Sequence, residues 1–255
     1  MNEREKKVKS ILITQPPPEA GKNVYEDFAK KYKLKIDFRS FIHIEPLTAK
    51  EIRRQKVSFP DYTAIIFNSK NAVDSFFTMA LEMKVEMPQD TKYFSINENV
   101  SNYVQKYIVP RKRKMFHGKG TEKDFLNLMK NHGSEKFLFP CSDIRKPNIP
   151  DFFADHKLNF KECIIYRTVS SDLSDLREVF YDILVFFSPA DIKSLYDNFP
   201  DFVQNATRIA GFGDSTQKAI QEHNLILDIP APAPDSPSML SALEKYVKKA
   251  NAEKK

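Results

Sequence analysis

Two turns rich in hydroxyl groups hold the residues most able to do chemistry in this chain. One reads Phe186-Phe187-Ser188-Pro189, the other Gly211-Phe212-Gly213-Asp214-Ser215-Thr216. Each follows a short apolar run and opens a helical pattern. Serine followed by proline marks a helix start, with serine as the N-cap and proline at the first helical position. Asp214, Ser215 and Thr216 are expected to cap the second helix in the same way. A helix start offers unpaired amides, hydroxyls and the positive end of the helix dipole, which together favour anions. A third turn, Phe67-Asn68-Ser69-Lys70-Asn71, echoes the first: Val73 and Ser75 follow Ser69 at the spacing by which Ile192 and Ser194 follow Ser188.

Tyr166, in Tyr166-Arg167-Thr168, is the remaining candidate. It reads either as a packed strand tyrosine or as a phenol able to donate a proton. No catalytic triad, paired-carboxylate motif or nucleotide loop is present. Gly211-Phe212-Gly213 lacks the third glycine of a dinucleotide fingerprint, and the chain has only 6 glycines in all. The 2 cysteines, Cys141 and Cys163, form no Cys-x-x-Cys, and the 5 histidines lack metal-ligand spacing. Neither a metal nor a cofactor is therefore expected. Arg111-Lys112-Arg113-Lys114 is the densest basic run. Without interleaved aromatic residues it reads as a solvated loop rather than a nucleic-acid site. Arg208 and Lys218 flank the second turn, as carboxylate partners or as surface charges.

These residues need a scaffold, and the totals allow one. The 255 residues suffice for two compact domains, and 41% hydrophobic content supplies their cores. A formal net charge of +6 suits an acidic ligand, and suits nucleic acid or no particular partner equally well. No apolar run approaches the ~20 residues of a membrane span. The charged N-terminus lacks the apolar core of a signal peptide. Two unpaired cysteines fit the reducing cytosol, so a cytoplasmic protein is expected.

Apolar runs without alternation at 11–14, 64–67, 137–139 and 183–187 read as parallel strands buried on both faces. Further strands are expected at 34–38, 40–46, 93–96, 162–169 and 225–229. Helices are expected at 23–32, from Asn68-Ser69 onward, at 98–107, after Thr121, near Phe152 and Phe153, at 173–180, and after Ser236-Pro237. In the second of these, Ala72, Val73, Phe76, Phe77, Ala80 and Leu81 form the inner face. Thr121 with Asp124 forms a capping signature, and Gly133 lies past that helix.

The order of these motifs resembles uroporphyrinogen-III synthases: Phe-x-Ser69, Tyr166-Arg167-Thr168 at a crossing between domains, Phe-Ser188-Pro189, Gly213-x-Ser215-Thr216, then the proline-rich loop 231–234. The resemblance covers nearly the whole chain. It implies two similar parallel-sheet α/β domains, the second inserted into the first through a two-stranded extended linker. Domain 1 would comprise 1–41 and 168–255, and domain 2 would comprise 42–167. It also implies cyclisation of hydroxymethylbilane to uroporphyrinogen III, with loss of water and inversion of the last ring, without a cofactor. Tyr166 matches the tyrosine implicated in loss of the hydroxyl. Ser69, Asn71, Ser188, Ser215 and Thr216 match substrate-binding positions. The partner implied is a linear tetrapyrrole handed over transiently by the preceding pathway enzyme to a monomer. No nucleic acid or membrane partner is implied. The family usually has proline where Asp214 stands, and Ser-Pro where Ser69-Lys70 stands. A carboxylate at 214 would compete with an anionic substrate, so a non-catalytic binder of a tetrapyrrole or another acidic small molecule is the alternative reading.

Overall fold

The computed structural model describes residues 6–18, 23–109, 112–119 and 121–252, with the backbone alone described at Lys112. In chain order, β1 (Ser10–Ile13), α1 (Val24–Tyr32), β2 (Lys35–Phe38) and β3 (Ile42–Pro46) come first. Then follow α2 (Ala49–Arg54), β4 (Ala64–Phe67), α3 (Lys70–Glu82), β5 (Lys92–Ser95), α4 (Glu98–Val104), β6 (Met115–His117), α5 (Glu122–Lys130), β7 (Phe137–Ser142), α6 (Asn148–Asp155) and β8 (Phe160–Ser170). Last come β9 (Ile183–Phe186), α7 (Pro189–Asn198), β10 (Arg208–Phe212), α8 (Asp214–Glu222), β11 (Leu227–Ala231) and α9 (Met239–Asn251).

The chain divides into two compact units, Met1–His43 with Val169–Lys255, and Ile44–Thr168. The first is built on a sheet of order β2-β1-β9-β10-β11, every neighbouring pair parallel. Its central strands are buried on both faces, as their unbroken apolar sequence requires. On one face α1 and α9 bury Phe28, Leu243 and Val247, and on the other α7 and α8 bury Ile192, Leu195 and Ile220. The second unit carries the order β6-β5-β4-β7-β8-β3. Here α3 and α4 cover one face with Val73, Phe76, Val100 and Val104, while α5 and α6 cover the other with Phe125, Met129 and Phe153. Both units are doubly wound. The strand order reverses between β1 and β9 in the first and between β4 and β7 in the second, and such sheets bind ligands outside the carboxyl ends of the strands at that reversal.

Four helices stop in one way. Lys33, Lys84, Lys157 and Asn224 take φ of 54°, 54°, 51° and 56°. The apolar residue after each donates its amide to a carbonyl five residues back: Leu34 to Ala29, Val85 to Ala80, Leu158 to Phe153 and Leu225 to Ile220. This is the left-handed helix stop usually given to glycine, here made with lysine and asparagine.

The structure departs from the expected elements in several places. Residues 173–180 form only a short 3-10 turn, Ser174–Leu176. The Leu173 amide is taken by Asn198 Oδ1 and the Ser174 amide by Asp172 Oδ1, which fixes a tight turn rather than a helix. α4 ends at Val104, three residues short. Leu81 is 80% exposed, off the buried face of α3, and Val24, which helical spacing puts on one face with Phe28 and Tyr32, is exposed on α1. The closing helix is capped by Ser238, not Ser236, because Ser236 is held in a bridge to Ala233 and Ser238 shares a capping box with Ser241. α2 has no counterpart in the expected elements.

Cys141 and Cys163 are unpaired thiols inside the second unit, and burial pushes each up to about 12. Among the described residues, no helix is long and apolar enough to cross a membrane, and no cluster of His, Cys, Asp or Glu could hold a metal ion. Of the basic run, Arg111 and the Lys112 side chain lie outside the described residues. Lys114 is buried and bonded to the Gln89 carbonyl and Asp90, so it is not a solvated charge.

Candidate functional site

In the second unit, β4 ends at Phe67 and the chain turns through Asn68 and Ser69 into α3. Ser69 is the N-cap: its Oγ accepts the Ala72 amide at 3.1 Å. From β8, two strands away, Tyr166 brings its phenol oxygen to 3.5 Å from Ser69 Oγ. The pair sits at the carboxyl end of β4, where the strand order reverses. Tyr166 is 6% exposed. Burial raises its phenol above the ordinary 10.0, against a lowering contribution from the Ser69 hydroxyl. The phenol is therefore protonated at neutral pH and able to donate, not to act as a base.

Other polar groups gather at the same edge. Asn68 Oδ1 and Ser95 Oγ are buried without a hydrogen-bond partner, one at the end of β4 and the other at the end of its neighbour β5, where Phe67 pairs with Ser95. Ser142 Oγ lies 3.2 Å from Thr168 Oγ1 across β7 and β8. Asn71 is exposed on the first turn of α3, and Lys70 lies over the Tyr103 ring, 5.2 Å from its centroid. Buried groups with no partner are uncommon and ask for a reason, and a ligand edge supplies one.

In the first unit, Ser188 and Thr216 stand at the carboxyl ends of the adjacent strands β9 and β10. The Ser188 hydroxyl is committed: it caps α7 by accepting the Asp191 amide at 3.3 Å. Asp191 in turn accepts the amides of Phe187 and Ser188 at 3.1 and 2.9 Å. This carboxylate occupies the first turn's own anion position. Burial raises its pKa, against the lowering effect of the Phe187 and Ser188 amides and of the Thr14 and Ser188 hydroxyls. The reversal between β1 and β9 is thus already filled by a side chain of the protein.

The second turn is open. Its cap is Gly213, not Asp214, Ser215 or Thr216, which form the first turn of α8 itself. Gly213 adopts φ 82°, a conformation in which side-chain-bearing residues are strained, so the chain enters the helix one residue early. No side chain caps this N-terminus. Thr216 is 1% exposed, and its hydroxyl has no hydrogen-bond partner. Ser215 and Asp214 are exposed beside it. Gly211 lets α8 lie close: a Cβ there would come within 2.5 Å of Ile220 Cδ1. Uncapped amides with an unsatisfied hydroxyl form an anion-binding arrangement.

Arg208 does not belong to this edge. It is 1% exposed at the start of β10, 3.6 Å from Asp182, at the opposite end of the sheet from the turns. Lys218 is exposed and faces Glu222 one turn on. Asn68, Ser95 and Asp191 were not among the expected site residues. Only Asp191 left a local signal, as the acidic residue three positions after a serine cap. The other two are small polar residues at strand ends and become visible only once the sheet aligns those ends.

Residues 25–241 match the family model described as "Uroporphyrinogen-III synthase HemD". A uroporphyrinogen-III synthase of Chlorobaculum parvum is 23% identical over 265 residues, covering 94% of this chain and 100% of that protein. Among solved structures, the uroporphyrinogen-III synthetase of Helicobacter pylori superposes with a TM-score of 0.63 at 17% identity, over 94% of this chain and 99% of that one. A mutant uroporphyrinogen III synthase of Thermus thermophilus superposes with a TM-score of 0.56 at 12% identity, over 95% and 98%. With the family model matching most of its length and the fold shared over 94% of it, the chain belongs to the uroporphyrinogen-III synthase family.

Proposed function

We propose that the chain converts hydroxymethylbilane to uroporphyrinogen III, and that Tyr166 assists the first step. The observation that carries this is the protonated Tyr166 phenol beside the Ser69 cap, at the carboxyl end of β4. In the reaction the terminal hydroxyl leaves with a proton and gives an azafulvene, and in this reading the phenol supplies that proton or a hydrogen bond. Attack at the substituted carbon of the last pyrrole then forms a spiro intermediate, which fragments and recloses with that ring inverted. Unassisted closure gives the symmetric isomer, so the protein's work is to hold one attack geometry.

The substrate's carboxylates are the handles for that hold. Thr216, Ser215 and the uncapped amides of α8 take one at the edge of the first unit. Asn71 and Ser69 do the same at the edge of the second. Ser188 contributes by building its turn rather than through its hydroxyl, whose oxygen caps α7 and whose proton is drawn to the Asp191 carboxylate. Asp214 stays exposed beside the α8 amides and weakens binding of an anion without closing the site. Family membership favours turnover over a binding-only role. The protein acts as a monomer in the cytoplasm, receiving its substrate from the enzyme that makes it. Two buried free thiols suit that compartment.

The test is an isomer assay. Hydroxymethylbilane is added to purified protein, and the products are oxidised and separated. Type III porphyrin in excess is expected, with formation slowed at least tenfold in Tyr166→Phe. Accumulation of the type I isomer alone would overturn the proposal.

A further inference from the structure

β7 and β8 pair in step from Phe137 with Phe160 to Cys141 with Ile164, and then Ser142 pairs with Tyr166. Ile165 is skipped, so β8 holds one extra residue. In a sheet, side chains alternate between faces, and residues paired across neighbouring strands share a face. Leu138 and Cys163 point into the core under α3 and α4, while Phe139 and Cys141 point into the core under α5 and α6. Ile165 joins the first of these. Unbroken alternation would send Tyr166 to the α5 and α6 face. The bulge returns it to the α3 face, in the same core as Ile165, and so brings the phenol to Ser69. Re-aiming a side chain is a recurrent use of such bulges.

One side chain ties this irregularity down. The Asp143 amide donates to the Tyr166 carbonyl at 3.3 Å. Asp143 Oδ1 accepts the Thr168 amide at 3.1 Å, the Ile144 amide at 3.0 Å and the Ser142 hydroxyl at 3.0 Å. The carboxylate therefore grips β8 two residues past Tyr166, the last residue of β7, and the turn that follows it. We infer that Asp143 is a positioning residue, whose carboxylate holds the β8 bulge that turns Tyr166 toward Ser69. The catalytic consequence rests on the role of Tyr166 proposed above, whereas the positioning itself does not.

The experiment compares full-length Asp143→Ala, Asp143→Asn, Tyr166→Phe and the Asp143→Ala/Tyr166→Phe double variant. The rate of type III formation is measured, together with the ζ-carbon NMR resonance of Tyr166 in protein labelled at tyrosine and its titration. Asp143→Ala is expected to slow the reaction about tenfold, to displace the Tyr166 resonance and to move its titration toward 10.0. Asp143→Asn, which keeps an acceptor oxygen, is expected to recover most of both. The double variant should be no slower than Tyr166→Phe. An unmoved Tyr166 resonance in Asp143→Ala, or rate losses that multiply independently in the double variant, would overturn the inference. Ser142→Ala removes one donor to the carboxylate and should displace the same resonance less. It decides the matter if Asp143→Ala does not fold, and no displacement there counts against the inference. If Tyr166→Phe alone leaves the type III rate intact, the catalytic reading fails, and the resonance still decides the positioning.

Discussion

Thr216 keeps a buried hydroxyl without a partner at the start of α8, and such a group costs stability. A lost hydrogen bond of this kind is worth about 1–3 kcal/mol. Thr216→Val, close in shape, is expected to raise unfolding free energy by about 1 kcal/mol. The same change should weaken substrate binding severalfold. Urea denaturation and KM for hydroxymethylbilane measure the two effects, and their opposite signs separate a binding hydroxyl from a packing one. At this scale the sequence was informative about turns and poor about partners. Ser188, Ser69 and Thr121 declare themselves as caps because capping is local, decided within three residues. Thr216 could not be told from a cap, because the difference lies in φ at Gly213. Asp143 was illegible, since its meaning depends on a register shift between two strands.

Among the elements, the helix ends carry the least expected chemistry. Lys84 holds φ 54° at the end of α3. That region costs a residue with a side chain roughly 1–2 kcal/mol, partly offset by the greater freedom glycine has when unfolded. Lys84→Gly is expected to stabilise by about 0.5 kcal/mol, a rise in Tm of a degree or two. A fall would mean that the lysine makes contacts worth more than the strain. The same habit explains why some helix ends were hard to read: the usual glycine signal is absent, and lysine looks like any surface residue. α2 was missed because six residues make too short a periodic pattern, although Thr48 and Glu51 form a complete capping box around it. Hydrogen bonds from the Thr48 amide, the Thr48 hydroxyl and Arg167 depress Glu51 from 4.5 to about 2. A depressed carboxyl contributes stability that is present above its unfolded value and lost as pH falls through the folded one. Protection factors of the α2 amides, with the intrinsic exchange rate divided out, should therefore fall between pH 4.5 and 2, and Glu51→Gln should remove that dependence.

The parallel pairing of the central strands in each sheet follows from the apolar runs, since strands buried on both faces lie centrally and β–α–β connections keep them parallel. That much the sequence carried, together with two related halves. Among the described residues, each core cluster lies within one unit: residues 8–41 with 173–250 in the first, residues 47–166 in the second. A unit with its own core can in principle fold alone. Residues 44–168 expressed separately are expected to give a helix-rich circular dichroism spectrum and a single cooperative melt. A featureless melt would show that the core of this unit is not self-sufficient.

Both thiols of the protein are sealed in the strands β7 and β8, with ionisation pushed to about 12. A thiol reagent attacks the thiolate and needs access. The native protein should thus be silent toward alkylating dyes, and any labelling would time the opening of one half of the molecule while the other half stays invisible to the dye. The chain carries an intrinsic clock for local unfolding, with two hands and no engineered label.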